Sequence, residues 1–165
     1  MAIYKLIPAL KDYIWGGTNL KKYRKTDLDI ISESWELSFH QDGLSKVEID
    51  NKLVNLSSVV KKEDLGEKVS NFPFFPVLIK LIDAKENLSV QVHPSDEYAL
   101  KNENSFGKTE MWYVISALEG AGLYVGFKEN ENKENLLETV TAETGLFKLQ
   151  QNGREVQYQS TTTAN

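Results

Sequence analysis

The chain has 165 residues, of which 41% are hydrophobic and 26% charged, a length and composition typical of one water-soluble globular domain. It contains no cysteine, so disulfides and a cysteine nucleophile are excluded, and any metal must be bound through nitrogen and oxygen. Acidic residues exceed basic ones, 24 against 19, which argues against a protein that binds nucleic acid.

Neither a membrane span nor a secretory signal is predicted. The longest uncharged apolar stretch, residues 72–79, is far shorter than the roughly 18–20 residues that cross a bilayer. Residues 1–12 contain charges and a proline where a signal peptide needs an apolar run. We therefore expect a cytoplasmic protein without a membrane partner.

Short strands dominate the secondary-structure signal of the chain, which favours a mainly β fold. Residues 45–49 alternate as a strand does, residues 57–65 predict a short helix capped by Ser57, and residues 77–82 form an apolar run typical of a strand buried on both faces. The single lysine in that run, Lys80, either extends to water at a sheet edge or is placed to meet an anion.

Further short elements are predicted in the second half. A helix is expected over residues 95–102, with Ser95 as its cap and two acids in its first turn. A strand is expected over residues 122–127 and another helix over residues 133–139.

The composition changes near the end of the chain. Residues 145–149 are compatible with one more strand, but the residues that follow are polar and poor in aliphatic side chains. Such a composition buries too little apolar area to offset the entropy of ordering. The expected organisation is a domain of residues 1–144 followed by a divergent, poorly ordered polar tail of residues 145–165.

The strand predicted over residues 88–94 carries side chains suited to chemistry. Because successive side chains of a strand alternate between faces, Ser89, Gln91 and His93 share one face, opposite three aliphatic residues. A polar row is also typical of any solvent-exposed strand face, and His93 is equally compatible with a histidine satisfied before a proline turn.

A second strand, predicted over residues 108–116, places Lys108 and Glu110 on one face. If this strand lies near the first one in a β-sandwich, Gln91, His93 and Glu110 converge. An amide oxygen, an imidazole nitrogen and a carboxylate oxygen suit a divalent cation such as zinc. The alternative for Glu110 is a solvated acid at the start of a strand.

Motifs of several other enzyme classes are absent from the sequence, which has no G-x-S-x-G, no complete Walker motif G-x-x-x-x-G-K-[ST] and no G-x-G-x-x-G. The other of its two histidines, His40, precedes a polar turn and is not expected to bind metal. An anion would be held by Lys80 and Lys108, which lie on the strands beside the predicted metal face.

Five blocks of the sequence occur in the order found in one enzyme family and span roughly residues 3–143. They are Trp15-Gly16-Gly17 with Leu20, Ser34-Trp35-Glu36 with Ser38, Phe74 to Lys80, Gln91 to Pro94, and Gly107 to Tyr113. On these blocks the chain resembles the type I mannose-6-phosphate isomerases in their short bacterial form. Five blocks in register are far more specific than any single one.

The resemblance implies a cupin-like β-sandwich, or jelly roll, with a few short helices, and one zinc ion per chain bound by Gln91, His93 and Glu110. It implies that Lys108 and Glu110 are catalytic. It also implies that the pocket for the sugar-phosphate substrate is lined by Lys80, Ser89, Trp15 and Trp35. The implied reaction interconverts mannose 6-phosphate and fructose 6-phosphate through an enediol-like intermediate.

The resemblance also implies a later Gly-x-x-His block, which supplies a fourth zinc ligand, and a catalytic arginine, neither of which is found in these 165 residues. We therefore expect a sandwich that is incomplete at its C-terminal end, with a second chain as one source of the remaining half. The alternative function is a non-catalytic cupin module that binds sugar phosphates, or an inactive fragment.

Overall fold

The computed structural model describes residues 3–89, 91, 93–118, 121–122, 146–151 and 154–159. It divides into two compact units, residues 1–86 and 87–165. In the described residues, antiparallel strands accompany one α-helix and several short 3-10 helices, which confirms the mainly β prediction. No helix among these residues has the length and apolar character needed to cross a membrane. The predicted boundary between residues 144 and 145 stays a prediction.

A three-stranded antiparallel sheet organises the first unit. Its strands, in spatial order, are β1 (Ala9–Lys11), β2 (Glu33–Leu37) and β5 (Ile79–Ile82). In the central strand, Trp35 lies opposite Ala9 on one side and Lys80 on the other. The pairing register of β2 with β5 shifts between Trp35 and Leu37.

The prediction that residues 77–82 are buried on both faces is wrong. The strand begins only at Ile79, whose side chain is 51% exposed, and Val77 and Leu78 are exposed as well. The physical reason is position, because β5 lies at the edge of its sheet and has β2 as its one partner among the described strands.

A β-hairpin follows the central strand. Strands β3 (Lys46–Ile49) and β4 (Lys52–Asn55) pair in register across Asp50 and Asn51, which both have positive φ, 49° and 60°. Two central residues with positive φ match the twist of the flanking strands, and Asp and Asn tolerate this conformation. The strand predicted over residues 45–49 is confirmed.

The helix predicted over residues 57–65 is replaced by two short 3-10 turns, Leu56–Ser58 and Lys62–Leu65. Local hydrogen bonds favour the turns: the Ser58 hydroxyl donates to the Asn55 carbonyl at 2.7 Å, and the Asp64 carboxylate accepts from the Lys61 amide at 3.0 Å. Such bonds compete with a continuous helix. The two β-branched residues between the turns weaken helical propensity further.

Buried serines are as prominent as apolar side chains in the interior of the first unit. The Ser32 hydroxyl donates to the Lys11 carbonyl at 2.8 Å and accepts from the Tyr13 amide at 2.9 Å. These bonds satisfy polar groups that would be costly to bury alone. The buried apolar side chains described for this unit are Leu20, Ile31, Trp35, Val47 and Leu56.

The second unit contains the α-helix, α1 (Asp96–Asn102), where the sequence predicts it. Ser95 caps the helix, accepting a hydrogen bond from the Tyr98 amide at 3.4 Å. By contrast, no residue of segment 108–116 is assigned to a strand, so the strand predicted there is not found. The strand predicted over residues 88–94 lies partly outside the described residues, and those of its residues that are described are not assigned to a strand.

Two further strands, β6 (Leu146–Gln151) and β7 (Arg154–Gln159), form a hairpin. They lie within the segment 145–165, for which poor order stays a prediction. The strand expected over residues 122–127, apart from its first residue, and the helix over residues 133–139 lie outside the described residues.

Replacing Gly43 by alanine should destabilise the first unit. The added Cβ would lie 2.7 Å from Cε3 of the Trp35 indole and 3.1 Å from the Ala9 methyl group. Overpacking of this kind typically costs about 1–3 kcal/mol, measurable by chemical denaturation. Gly122→Ala is the control, since no atom of the described residues lies within 4 Å of its added Cβ. Equal stability of the two variants would contradict the packing described for Trp35.

Candidate active site

Four polar side chains of the second unit meet at one place. His93 Nε2 contacts the Glu110 carboxylate, and the Lys108 ammonium lies 3.1 Å from Gln91 Oε1 and 3.7 Å from Glu110 Oε2. The side chains of His93 and Glu110 are only 6% and 14% exposed. We call Gln91, His93 and Glu110 the Gln–His–Glu cluster.

The donor atoms of this cluster fit a divalent cation. They are an amide oxygen, an imidazole nitrogen and a carboxylate oxygen, the ligand types of zinc and similar ions. The Lys108 ammonium lies within 4 Å of two of them, so the cluster is arranged to accept positive charge. No group of three or more His, Cys, Asp or Glu side chains suited to a metal occurs in the described part of the chain. A metal here would therefore use the amide of Gln91.

The structure thus brings His93 against Glu110, as predicted, and links Gln91 to this pair through Lys108. They meet although neither segment is assigned to a strand in its described residues. Their roles as metal ligands and catalytic groups stay predictions. Ser89, predicted on the same face, is exposed, and its role with the substrate also stays a prediction.

Lys80 belongs to a different arrangement, inside the first unit. Its ammonium lies 2.9 Å from Glu33 Oε1, and the side chains of Lys80 and Glu33 are 15% and 4% exposed. The indole N–H of Trp35 donates to the other carboxylate oxygen of Glu33 at 2.7 Å. Lys80 therefore meets an anion that the protein itself provides, while its predicted contact with a sugar phosphate stays a prediction.

The two tryptophans assigned to the substrate site also lie in the first unit. Trp35 is a core residue, 8% exposed, with the Lys11 ammonium 4.6 Å from its ring centroid. Trp15 is partly buried and stacks on Tyr13, with ring centroids 5.7 Å apart. Their places at the rim of a sugar pocket stay predictions.

Glu33 is the residue that sequence reasoning missed. A signal was available, because a lysine inside an apolar strand needs an acidic partner when it does not reach water. The partner could not be identified from the sequence, since it depends on the register between β2 and β5, in which Glu33 and Lys80 occupy neighbouring strands.

Known proteins resemble the chain in both sequence and structure. Residues 3–124 match the family described as phosphomannose isomerase type I, catalytic domain. The chain belongs to the type I phosphomannose isomerase family. Mannose-6-phosphate isomerase from Streptococcus mutans is 42% identical over 134 residues, covering 78% of this chain and 42% of that protein. For mannose-6-phosphate isomerase ManA from Bacillus subtilis the identity is 37% over 132 residues, covering 77% and 41%.

The crystal structure of the mannose 6-phosphate isomerase from Bacillus subtilis superposes with a TM-score of 0.63 at 32% identity. The match covers 83% of this chain and 45% of that chain. It supports membership of the family and the predicted mainly β, cupin-like fold class. The chain spans less than half the length of these relatives.

The Glu33–Lys80 pair gives a prediction about stability. Glu33→Ala leaves the Lys80 ammonium without this partner, and breaking a buried pair in this way typically costs about 3–5 kcal/mol. The double variant Glu33→Gln with Lys80→Met removes both charges and should recover part of that loss in chemical denaturation. If the double variant is no more stable than Glu33→Ala, the buried ion pair is not what stabilises this sheet.

A second prediction concerns Tyr13. Partial burial of Tyr13, which is still 45% exposed, raises its pKa above the usual value, and the charges of Glu33, Asp42 and Asp12 raise this pKa further. Because the folded chain then holds this proton more tightly than the unfolded chain, stability falls as the pH rises above about 10. Tyr13→Phe should weaken this alkaline loss of melting temperature, with the exposed Tyr23→Phe as control. Parallel alkaline losses in Tyr13→Phe and the parent chain would contradict the assignment.

Proposed function

We propose that this chain carries the metal-binding site of a sugar-phosphate isomerase that interconverts mannose 6-phosphate and fructose 6-phosphate. The observation that carries the proposal is the meeting of Gln91, His93 and Glu110 at one place with Lys108 beside them. The family match over residues 3–124 supports the same function.

The proposed cofactor is one zinc ion per chain, bound by Gln91, His93 and Glu110. A zinc ion in this place would supply positive charge opposite the substrate oxygens on which negative charge develops when hydrogen moves between C1 and C2. Nitrogen and oxygen ligands are the ones available to a chain without cysteine.

Lys108 and Glu110 have different parts in this proposal. The Lys108 side chain is 46% exposed, so its ammonium reaches solvent and can donate hydrogen bonds to substrate oxygens while it stays next to Glu110. Glu110 is largely buried and held against His93, which orients its carboxylate. Positioning of this kind lowers the barrier by removing the need to organise the groups during the reaction.

The remaining predicted contacts with the sugar phosphate are proposed for Lys80, Ser89, Trp15 and Trp35. The substrate is a small anion, and lysine ammonium groups are suited to anchor its phosphate. A cytoplasmic location and the completion of the site by a second chain stay parts of the proposal.

Zinc analysis and a coupled assay on mannose 6-phosphate test the proposal on the purified full chain. We expect about one zinc ion per chain, lost to a chelator, together with isomerisation that depends on zinc. His93→Ala should lower zinc affinity by at least ~100-fold, beyond the 10–100-fold typical of residues that only support ligands. His40→Ala is the matched control, because His40 is exposed and lies in the first unit.

Absence of both zinc and isomerisation from the parent chain would overturn the proposal. Zinc binding that His93→Ala and His40→Ala lower equally would overturn the assigned ligands. Saturable binding of mannose 6-phosphate without turnover and without any effect of zinc would indicate a sugar-phosphate-binding module instead of an enzyme.

A further inference from the structure

Two hydrogen bonds join the segment that follows His93 to the segment that precedes Glu110. The Gly107 amide donates to Asp96 Oδ1 at 2.8 Å, and the Lys108 amide donates to the Pro94 carbonyl at 3.1 Å. Both bonds lie within the second unit and connect residues more than ten positions apart in the sequence.

Gly107 allows this approach because it has no side chain. A Cβ at Gly107 would lie 2.5 Å from the Asp96 nitrogen, 2.6 Å from the Ser95 carbonyl carbon and 2.7 Å from the Pro94 oxygen. All three are backbone atoms, which cannot move aside as the end of a flexible side chain can. The two segments are therefore as close as backbones pack, and any larger residue at position 107 would separate them.

This contact is adjacent to the Gln–His–Glu cluster on both segments. Pro94 directly follows His93, and Lys108 lies two residues before Glu110. The described residues of the two segments are not assigned to strands, so no ladder among them sets the distance between His93 and Glu110. The two bonds at Gly107 and Lys108 hold the segments together beside the cluster, in addition to the side-chain contacts of Gln91 with Lys108 and of His93 with Glu110.

We propose that Asp96 and Gly107 form a clamp that positions the segment carrying Gln91 and His93 against the segment carrying Lys108 and Glu110. Asp96 is a positioning residue, because its carboxylate binds the Gly107 amide and none of the cluster's side chains. Its further role as a metal-positioning residue rests on the proposed function, whereas the clamp itself is a statement about the metal-free chain.

Glu97 provides a comparison that distinguishes the positioning role of Asp96 from the general stabilisation of a helix by acidic residues in its first turn. Asp96 and Glu97 both lie in the first turn of α1, where negative charge stabilises the positive end of the helix dipole. If the acids act only on the helix, loss of either one should affect the His93 ring and zinc affinity to a similar extent. The clamp predicts an effect of substituting Asp96 but not Glu97, and only when the substitution removes the hydrogen-bond acceptor.

Three variants of the full chain test the clamp. Asp96→Ala removes the acceptor for the Gly107 amide, Asp96→Asn keeps an acceptor oxygen but loses the charge, and Glu97→Ala removes the neighbouring charge. A fourth variant, Gly107→Ala, adds a methyl group that pushes the two segments apart without removing a hydrogen-bonding group.

The first measurement is the imidazole NMR spectrum of the metal-free chain, which contains only two histidines. Asp96→Ala and Gly107→Ala should shift the ring resonances of His93 and leave those of His40, in the first unit, unchanged. Asp96→Asn and Glu97→Ala should leave both rings close to their parent positions. A purely structural loss of stability would not distinguish Asp96→Ala from Glu97→Ala in this way.

The second measurement is the affinity for zinc alone, determined by competition with a chromophoric chelator. Asp96→Ala should weaken zinc binding roughly tenfold, as loss of groups that support ligands does, with less than about twofold change in Asp96→Asn and Glu97→Ala. Unchanged His93 resonances in Asp96→Ala, or equal zinc affinity in Asp96→Ala and the parent, would overturn the positioning role. If the parent binds no zinc while Asp96→Ala still shifts His93, the proposed function fails and the clamp stands.

Discussion

The burial of one carboxylate organises the first unit. Glu33 is 3% exposed, and a buried charge is tolerated only when it is paired and hydrogen-bonded. The partners are Lys80, on the neighbouring strand β5, and the indole of Trp35, which lies on β2 together with Glu33. The ion pair therefore joins β2 to β5 in a sheet whose buried apolar side chains are few in the described residues.

The same constraint shapes the second unit with a different outcome. His93 and Glu110 are both largely buried and contact each other. The Lys108 ammonium lies near both the amide oxygen of Gln91 and the carboxylate of Glu110. In the first unit the lysine and the acid satisfy each other. In the second, the Lys108 ammonium lies near acceptor oxygens of Gln91 and Glu110, and the Glu110 carboxylate also contacts the His93 imidazole. Donor atoms of these types are the ones that bind divalent cations.

Membership of the type I phosphomannose isomerase family and the geometry of the Gln–His–Glu cluster are independent observations. The family match extends from residue 3 to residue 124 and does not depend on where any side chain lies. The cluster is a matter of distances within residues 91–110. The cluster lies within the matched range, so the family match and the geometry support the same proposed function.

The sequence by itself determined what depends on local chemistry. The absence of cysteine limits metal ligands to nitrogen and oxygen, Ser95 begins a helix because its hydroxyl can cap the first turn, and the residue types of the cluster are those of a zinc site. Tertiary structure decided what depends on neighbours in space. The exposure of Ile79, the pairing of Lys80 with Glu33 and the close approach at Gly107 each depend on which strand or segment lies alongside, and sequence periodicity carries no information about that register.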